Sequence, residues 1–201
     1  MNPEQLQSIL EAALMVAGRP LSIADMQKLF AEDQQPQATD IKQTLTALAE
    51  RYATNGIELK ETASGYQFQA KIEFSPWLIK LWEERPQRYS KALLETLALV
   101  AYRQPITRAE IEDIRGISAS SHIIKTLMER EWIRVVGQRE VPGKPALYGT
   151  TKAFLDHFNL KNLRELPTLA ELSNFEQQAA KLHVQLELTE DAETNTTSSD
   201  E

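Results

Sequence analysis

Two stretches of the sequence decide the fold because they repeat one pattern at a spacing of 85 residues: residues 20–29 (PLSIADMQKL) and residues 105–114 (PITRAEIEDI). Each stretch reads proline, aliphatic, hydroxyl, any residue, alanine, acid, aliphatic, any two residues and aliphatic. The hydroxyl of Ser22 or Thr107 can cap a helix, and the acid three residues later can return a bond to the cap. The pattern therefore predicts a helix start after the proline in each copy.

Similar elements surround both copies. Upstream, residues 13–15 (ALM) match residues 98–100 (ALV), within an apolar stripe at helical spacing that predicts a first helix: Leu6, Ile9, Leu10, Ala13, Leu14 and Ala17. Downstream, a third helix is predicted in each copy by Ile41, Leu45, Leu48, Ala49 and Tyr52, and by Ile123, Ile124, Leu127 and Met128.

A β-hairpin is predicted after the third helix of each copy, because the apolar period changes from helical to two. In the first copy, Ile57, Leu59, Tyr66 and Phe68 alternate with polar residues around a turn at Ser64. In the second, Ile133, Val135 and Leu147 flank a loop that holds residues 142–145 (PGKP). Three helices and a hairpin make a winged helix. The predicted fold is thus mainly α with small β wings (α+β), as two tandem winged-helix domains.

The predicted domain organisation has four parts. An N-terminal winged-helix domain covers residues 1–73, a linker helix residues 74–89, a C-terminal winged-helix domain residues 90–167, and an extension with an acidic tail residues 168–201. The linker helix is expected to start at Ser75-Pro76, because proline is tolerated in the first turn. Residues 186–201 carry six carboxylates and no Lys or Arg, so we expect a disordered tail.

Composition narrows the class of protein. The 201 residues are 42% hydrophobic and 25% charged, which is typical of a folded globular chain. The absence of cysteine excludes disulfides and thiolate metal sites. Neither a signal peptide nor an apolar run long enough to cross a bilayer is present, which favours a cytoplasmic protein without a membrane partner.

The residues of common catalytic sites do not assemble into a motif. His122, His157 and His183 have spacings that fit no common metal site. Residues 137–145 (GQREVPGKP) have too many residues between the glycines for a phosphate loop, and proline where Ser or Thr holds magnesium. We therefore predict no catalytic residue, metal or cofactor, and no enzyme activity.

Charge favours a protein partner over DNA. Residues 90–151 hold nine basic and seven acidic residues, and residues 1–89 hold nine and twelve. The third helix of the second domain offers Lys125 and Arg130 but also Glu129 and Glu131, unlike the basic face of a DNA reader. A winged-helix DNA-binding transcription regulator stays open as the alternative, and duplex binding with a steep salt dependence would favour it.

Residues 94–116 (LETLALVAYRQPITRAEIEDIRG) closely resemble the signature of the segregation and condensation protein B family. Residues 141–151 (VPGKPALYGTT) are similar to the wing and exit of that family, and residues 154–167 to its closing helix. His122 departs from the family pattern, which has a smaller residue there.

The resemblance implies a non-enzymatic subunit of a bacterial condensin-like complex, associated with the nucleoid, that acts in chromosome condensation and segregation during cell division. Such a subunit forms a homodimer through its N-terminal winged helix and binds the kleisin, segregation and condensation protein A. Together they bind the head domains of the structural maintenance of chromosomes (SMC) ATPase. DNA would be contacted only indirectly, through the complex.

Two sets of residues are candidates for these contacts. Aromatic and arginine side chains anchor interfaces, so we expect partner binding by Tyr102, Arg103, Arg108, Arg115 and Tyr148. Apolar surface beyond the needs of one small domain favours a symmetric homodimer, and we expect dimerisation by Leu6, Leu10, Trp77 and Trp82.

Overall fold

A computed structural model describes residues 2–81, 89–116, 121–168 and 171. The first domain contains three helices and a hairpin: α1 (Pro3–Val16), α2 (Ile23–Gln27), α3 (Ala38–Tyr52), β1 (Ile57–Thr62) and β2 (Gly65–Ala70). The second domain repeats the plan with one added strand and a closing helix: α5 (Lys91–Arg103), β3 (Ile106–Thr107), α6 (Arg108–Arg115), α7 (Ser121–Glu129), β4 (Ile133–Gln138), β5 (Ala146–Thr150) and α8 (Lys152–His157). The prediction of two tandem winged-helix domains with an α+β fold is confirmed.

The core of the first domain lies between α1, α3 and the hairpin. Its buried members all come from the first domain: Leu6, Leu10, Leu14, Leu21, Met26, Ile41, Leu45 and Leu48. The apolar stripe of α1 thus faces inward, as helical spacing predicts for a helix of a small domain. Half-buried side chains of the hairpin, among them Leu59, Tyr66 and Phe68, close this core.

Both predicted capping boxes are confirmed. Ser22 Oγ accepts a hydrogen bond from Asp25 N (3.1 Å), and Asp25 Oδ2 accepts one from Ser22 N (3.2 Å). In the second domain Thr107 Oγ1 accepts from Glu110 N (3.3 Å), and Glu110 Oε2 accepts from Thr107 N (2.9 Å). The Ser22 hydroxyl and then the Ser22 N–H donate to Asp25 Oδ2 and lower the pKa of that carboxyl group. Donation from Thr107 N and then Thr107 Oγ1 lowers the pKa of Glu110. Each second helix therefore starts on the residue that the repeat specifies.

Each hairpin is tied to the segment that precedes its second helix. In the first domain, Leu21 and Tyr66 exchange two backbone hydrogen bonds, of 2.8 and 2.9 Å. In the second, the matching residues form β3, which pairs with β5 so that Ile106 lies opposite Tyr148 in a sheet of order β3-β5-β4. β4 also pairs with β5, with a register shift between Val135 and Gly137. The internal repeat therefore extends to the sheet.

The predicted linker helix is shorter than the sequence suggests within the described residues. Two short 3-10 segments, Ile72–Phe74 and Ile79–Leu81, flank α4 (Ser75–Leu78). Trp77 is 66% exposed. Residues 82–88, with Trp82, lie outside the described residues.

The described residues up to Leu163 belong to one compact unit, and a second unit begins at Arg164. A further 3-10 segment covers Leu163–Glu165. In the second unit Glu171 N donates to Thr168 Oγ1 (3.3 Å), and Thr168 N donates to the Glu171 carboxylate. The predicted acidic tail lies outside the described residues. In the part of the chain that the structure describes, no helix is both long and apolar enough to cross a bilayer.

Candidate functional site

An open groove of about 810 Å³ lies on the second domain, where the β4–β5 hairpin meets α7 and α8. Its apolar lining comes from these elements and the segment after α8: Met128, Ile133, Val135, Ala153, Leu155 and Leu163. Charged side chains at its edges belong to Glu131, Arg134 and Lys152. Apolar lining with a few polar groups is the usual character of a binding groove.

Gln104, directly after α5, holds the strand that backs the groove. Its Oε1 accepts hydrogen bonds from Thr150 N (2.8 Å) and Thr150 Oγ1 (3.1 Å), and its Nε2 donates to Ala101 O (3.1 Å). A Cβ at Gly149 would lie only 3.0 Å from Gln104 Oε1, so glycine lets the two segments approach. The bottom of the groove is therefore fixed to the end of α5.

Thr151 fixes the start of α8 against the turn that follows α7. Its Oγ1 accepts from Phe154 N (3.1 Å) as the cap of α8 and donates to Glu131 O. Thr151 N also donates to Trp132 O (3.2 Å). The two sides of the groove, α7 and α8, thus meet at one hydrogen-bonded corner.

An aromatic cluster supports α8. The Trp132 side chain is 4% exposed, and its ring lies 4.5 Å from His157, 5.1 Å from Tyr89 and 5.6 Å from Phe158, measured between centroids. Arg130 stacks 5.1 Å over Tyr89 and 5.4 Å over Trp132. Burial, with a smaller contribution from Arg130, lowers the pKa of His157. A neutral His157 therefore fits this cluster better than a charged one.

Large apolar side chains remain open to solvent at the groove. Met128 is 42% exposed and Val135 is 47% exposed. Contiguous exposed apolar side chains typically mark a contact with another protein. The sequence signal for this surface is the pair Val135-Val136. Adjacent side chains of a strand point to opposite faces, so both cannot face the core of the domain.

The third helix of the second domain does not present a cationic face. Lys125 Nζ lies 3.6 Å from Glu129 Oε1, and Arg130 stacks on the aromatic cluster. Phosphate contacts need available Lys and Arg side chains. Each of the two cations that the sequence places on α7 or directly after it thus has a neighbour within the domain, a carboxylate for Lys125 and aromatic rings for Arg130.

The five residues predicted to bind a partner are not brought together in the groove. Arg103 is exposed and lines a smaller pocket of about 320 Å³ with Pro105 and Ile114. Arg108 is exposed, with its Nε 2.8 Å from Glu112 Oε1. The Arg115 side chain is only 6% exposed, with Nη2 3.2 Å from Glu95 Oε2. Tyr102 and Tyr148 are half-buried.

The residues predicted for dimerisation lie in two different environments. Leu6 and Leu10 are 5% and 0% exposed, inside the core of their own domain, so their side chains are not available at the surface of the protomer. Trp77 is exposed, and Trp82 lies outside the described residues. Other apolar side chains of the first domain and the linker are also exposed: Met15, Val16, Leu29, Ile72, Ile79 and Leu81.

The described residues bring together no group of three or more His, Asp or Glu side chains that could hold a metal ion. His122 is exposed on α7, His157 belongs to the aromatic cluster, and His183 lies outside the described residues. Residues 137–145 form the end of β4 and the loop to β5, as expected of a wing.

Comparison with known proteins places the chain in a family. The family model for segregation and condensation complex subunit ScpB matches residues 8–169. The chain belongs to the ScpB family. It is 54% identical over 180 residues to the segregation and condensation protein B homolog of Coxiella burnetii, a match that covers 90% of this chain and 86% of the relative. The segregation and condensation protein B of Syntrophotalea carbinolica is 38% identical over 90% of this chain and 91% of its own length.

A solved ScpB structure, from Mycobacterium tuberculosis, is 29% identical and matches 80% of this chain and 98% of that chain with a TM-score of 0.37. The family model and the curated relatives confirm the resemblance read from residues 94–116. The family model also extends the match across the first domain, where the sequence motifs alone are weak.

Proposed function

We propose that this chain is a non-enzymatic subunit of a bacterial condensin-like complex and that it binds the kleisin, segregation and condensation protein A, through the groove of its second domain. Membership of the ScpB family supports the complex. The observation that carries the site is the groove itself, which leaves Met128 and Val135 exposed beside an apolar lining. Among the described residues none covers them, and an exposed apolar lining favours a contact with another chain.

The shape and charge of the groove fit a peptide segment. A volume of about 810 Å³ accommodates several apolar side chains of an amphipathic helix or an extended strand. Arg134 and Lys152 at the edges favour acidic residues flanking the apolar anchors. We therefore expect the bound kleisin segment to alternate apolar anchors with acidic residues.

The remaining functions belong to the assembly. The SMC head domains, which the kleisin connects to this chain, would carry the ATP chemistry. DNA would be contacted by the complex and not by α7, because Glu129 and Glu131 balance the charge of Lys125 and Arg130. This function implies a cytoplasmic chain associated with the nucleoid. We propose the working boundaries 1–73, 74–89, 90–167 and 168–201 for the two domains, the linker and the extension.

We also propose that the chain forms a homodimer through its first domain and linker. The supporting surface is apolar and exposed, with Val16 at 84%, Ile72 at 87% and Trp77 at 66% exposure. These side chains replace Leu6 and Leu10 as candidates for contact with a second copy. Trp77→Glu should convert a dimeric mass into a monomeric one in analytical ultracentrifugation, while Val141→Glu should not.

Binding of the purified kleisin of the same organism, measured by isothermal titration calorimetry, tests the groove. Met128→Glu and Val135→Glu place a charge among the apolar anchors, and both positions are exposed, so the fold tolerates them. We expect each variant to weaken binding at least about tenfold, since burial of an unpaired charge is costly. Val141→Glu, on an equally exposed wing residue that does not line the groove, should bind within about twofold of the original chain.

Normal kleisin binding by both groove variants would overturn the proposed site. Loss of binding in Arg103→Glu and Arg108→Glu instead would move the contact to the surface predicted from the sequence. Failure of the original chain to bind the kleisin, together with salt-dependent binding to duplex DNA, would favour the transcription regulator.

A further inference from the structure

The hairpin of the first domain contacts the end of the second domain through polar groups. Ser64 N and Ser64 Oγ donate to the two carboxylate oxygens of Asp156, over 2.9 and 2.5 Å. Ala63 N donates to Leu160 O (3.0 Å). We name these contacts, together with two side-chain pairs described next, the interdomain clasp.

Two side-chain pairs complete the interdomain clasp. Gln69 Nε2 donates to Asn159 Oδ1 (2.6 Å), and Lys161 Nζ lies 2.6 Å from Glu61 Oε2. Glu61 also accepts a hydrogen bond from Tyr66 on the opposite strand. Lys161, followed by Tyr66, lowers the pKa of Glu61, so this carboxylate stays charged to a lower pH than an ordinary glutamate.

The second-domain side of the clasp is preformed by the end of α8. Asn159 has φ +56°, a left-handed conformation that asparagine tolerates, and its N donates to Asp156 O (3.2 Å). Leu160 N donates to Leu155 O (2.8 Å). These two bonds form a Schellman motif, which ends the helix and turns the chain sharply. The turn presents Asp156, Asn159 and Leu160 O to the first domain.

The first-domain side is preformed by the hairpin turn. The ladder runs to the pair Thr62–Gly65, so the N–H groups of Ala63 and Ser64 at the turn have no partner within the ladder. In an isolated hairpin such groups would bind water. Here the second domain satisfies both, which explains why this turn points at α8.

The clasp is polar, and this makes it reversible. The described core of the first domain draws all its members from within that domain. Lys161 and Glu61 keep 50% and 39% side-chain exposure, so salt and water weaken their attraction. Water can replace each hydrogen bond of the clasp when it opens. Small polar contacts between domains usually permit domain motion.

We propose that the interdomain clasp is a reversible lock, which fixes the two winged-helix domains in one arrangement when it is closed and frees them to reorient when it opens. α8 joins the lock to the groove, because Leu155 lines the groove and Asp156, the next residue, is the main acceptor of the clasp. Opening releases the hairpin turn of the first domain and the Asp156 carboxylate together.

A distance measurement between spin labels tests the lock in the full chain. The sequence holds no cysteine, so Ala12→Cys on α1 and Ala98→Cys on α5, both exposed, add the only two label sites. Labelled chain is diluted in excess unlabelled chain, so that distances within one protomer dominate pulsed dipolar spectra. The original sequence should give one narrow distance distribution. Asp156→Ala combined with Glu61→Gln should at least double its width.

Glu58→Gln is the matched control, because Glu58 lies on the same strand as Glu61 and outside the clasp. Its distribution should keep the original width. If Asp156→Ala disturbs α8, as circular dichroism would show, Glu61→Gln combined with Lys161→Gln replaces it and should still broaden the distribution. An unchanged distribution in the clasp variants, or a broad one already in the original sequence, would overturn the proposal.

Discussion

The two hairpins of this molecule have the same place in the repeat but opposite surroundings. In the first, every residue from Ile57 to Gln69 is buried or half-buried, and the turn bonds to the second domain. In the second, all of β4 beyond Ile133 is exposed, as is most of the loop to β5. One wing thus serves an internal contact, while the other remains open beside the groove.

The difference follows from turn length and from the residues at the tips. Ala63 and Ser64 make a tight connection whose small side chains allow close approach to Asp156. The longer loop of the second hairpin includes Pro142 and Pro145, which cannot donate backbone hydrogen bonds, and the exposed Val141. A duplicated fold can therefore support a division of roles, in which the first wing contacts the other domain and the second is left exposed beside the groove. The predictions below test this division in order of decreasing effect.

Gly65→Ala should be the most damaging change, because it breaks the first hairpin. Gly65 has φ +143°, and an added Cβ would lie 2.2 Å from Leu21 O, so the bridge between Leu21 and Tyr66 would have to move. We expect a loss of about 3 kcal/mol or more in unfolding free energy from denaturant titration. Gly143→Ala in the second wing meets open space, although its φ of +86° leaves backbone strain. Gly143→Ala should lower the unfolding free energy by about 1 kcal/mol. Equal losses for Gly65→Ala and Gly143→Ala would contradict the difference between the two hairpins.

Removal of the helix caps should cause the next largest loss of unfolding free energy. The loss should be greater for the cap in the second domain than for the cap in the first. Thr107 is 3% exposed and belongs both to β3 and to the cap of α6, whereas Ser22 is half-buried. Thr107→Ala should cost about 2 kcal/mol and Ser22→Ala about 1 kcal/mol, within the usual range for caps. Thermal unfolding monitored by calorimetry gives both values. A larger loss for Ser22→Ala than for Thr107→Ala would contradict the ranking that the burial of the two residues predicts.

His157, in the second domain, should make stability depend on pH between pH 7.5 and 5. The folded pKa of His157 is lowered, first by burial and then by Arg130, from an unfolded value of about 6.5. The unfolded chain therefore binds the proton more readily, and stability is full above about pH 6.5 and falls as pH drops through the folded pKa. His157→Phe keeps an aromatic ring in the cluster and removes the titration. Melting temperatures between pH 7.5 and 5 should fall more steeply for the original chain than for this variant, and parallel curves would refute the assignment.

Single surface substitutions should have the smallest effect on the unfolding free energy. They test whether the second wing supports the fold as the first one does. Lys161→Ala removes a partly exposed ion pair of the clasp and should cost about 0 to 1 kcal/mol. Val136→Thr on the open wing should leave the unfolding free energy within about 0.5 kcal/mol of its original value. Chemical denaturation resolves both. A loss of several kcal/mol for Val136→Thr would mean that the second wing supports the fold as the first one does.

Local sequence signals predict the parts of this molecule that depend on near neighbours. The capping boxes at Ser22 and Thr107, the apolar stripe of α3 and the alternation of the first hairpin all follow from spacing within a few residues. The assignment of Leu6 and Leu10 to a dimer surface could not be decided in this way. Periodicity shows that such residues share a helix face but not whether that face meets its own domain or another chain.

Contacts between distant segments leave little trace in the sequence. Asp156 and Ser64 are 92 positions apart, and neither belongs to a periodic pattern that would pair them. The groove is likewise built from separate elements, with Met128, Val135 and Leu155 drawn from a helix, a strand and a second helix. The anchors predicted from the sequence are arginine and tyrosine side chains, whereas the apolar lining of the groove is mainly aliphatic side chains and methionine. Family membership constrains these contacts, and the assembled fold brings their residues together.

The long separation within the clasp also has a consequence for synthesis of the chain. A ribosome adds roughly 5 to 20 residues per second, and Asp156 is made 92 residues after Ser64. The first domain can therefore complete its own core roughly 5 to 20 seconds before its hairpin turn meets the second domain. During that interval the turn is open to water and to other proteins. Every newly made chain thus passes through an unclasped form before it reaches the clasped one.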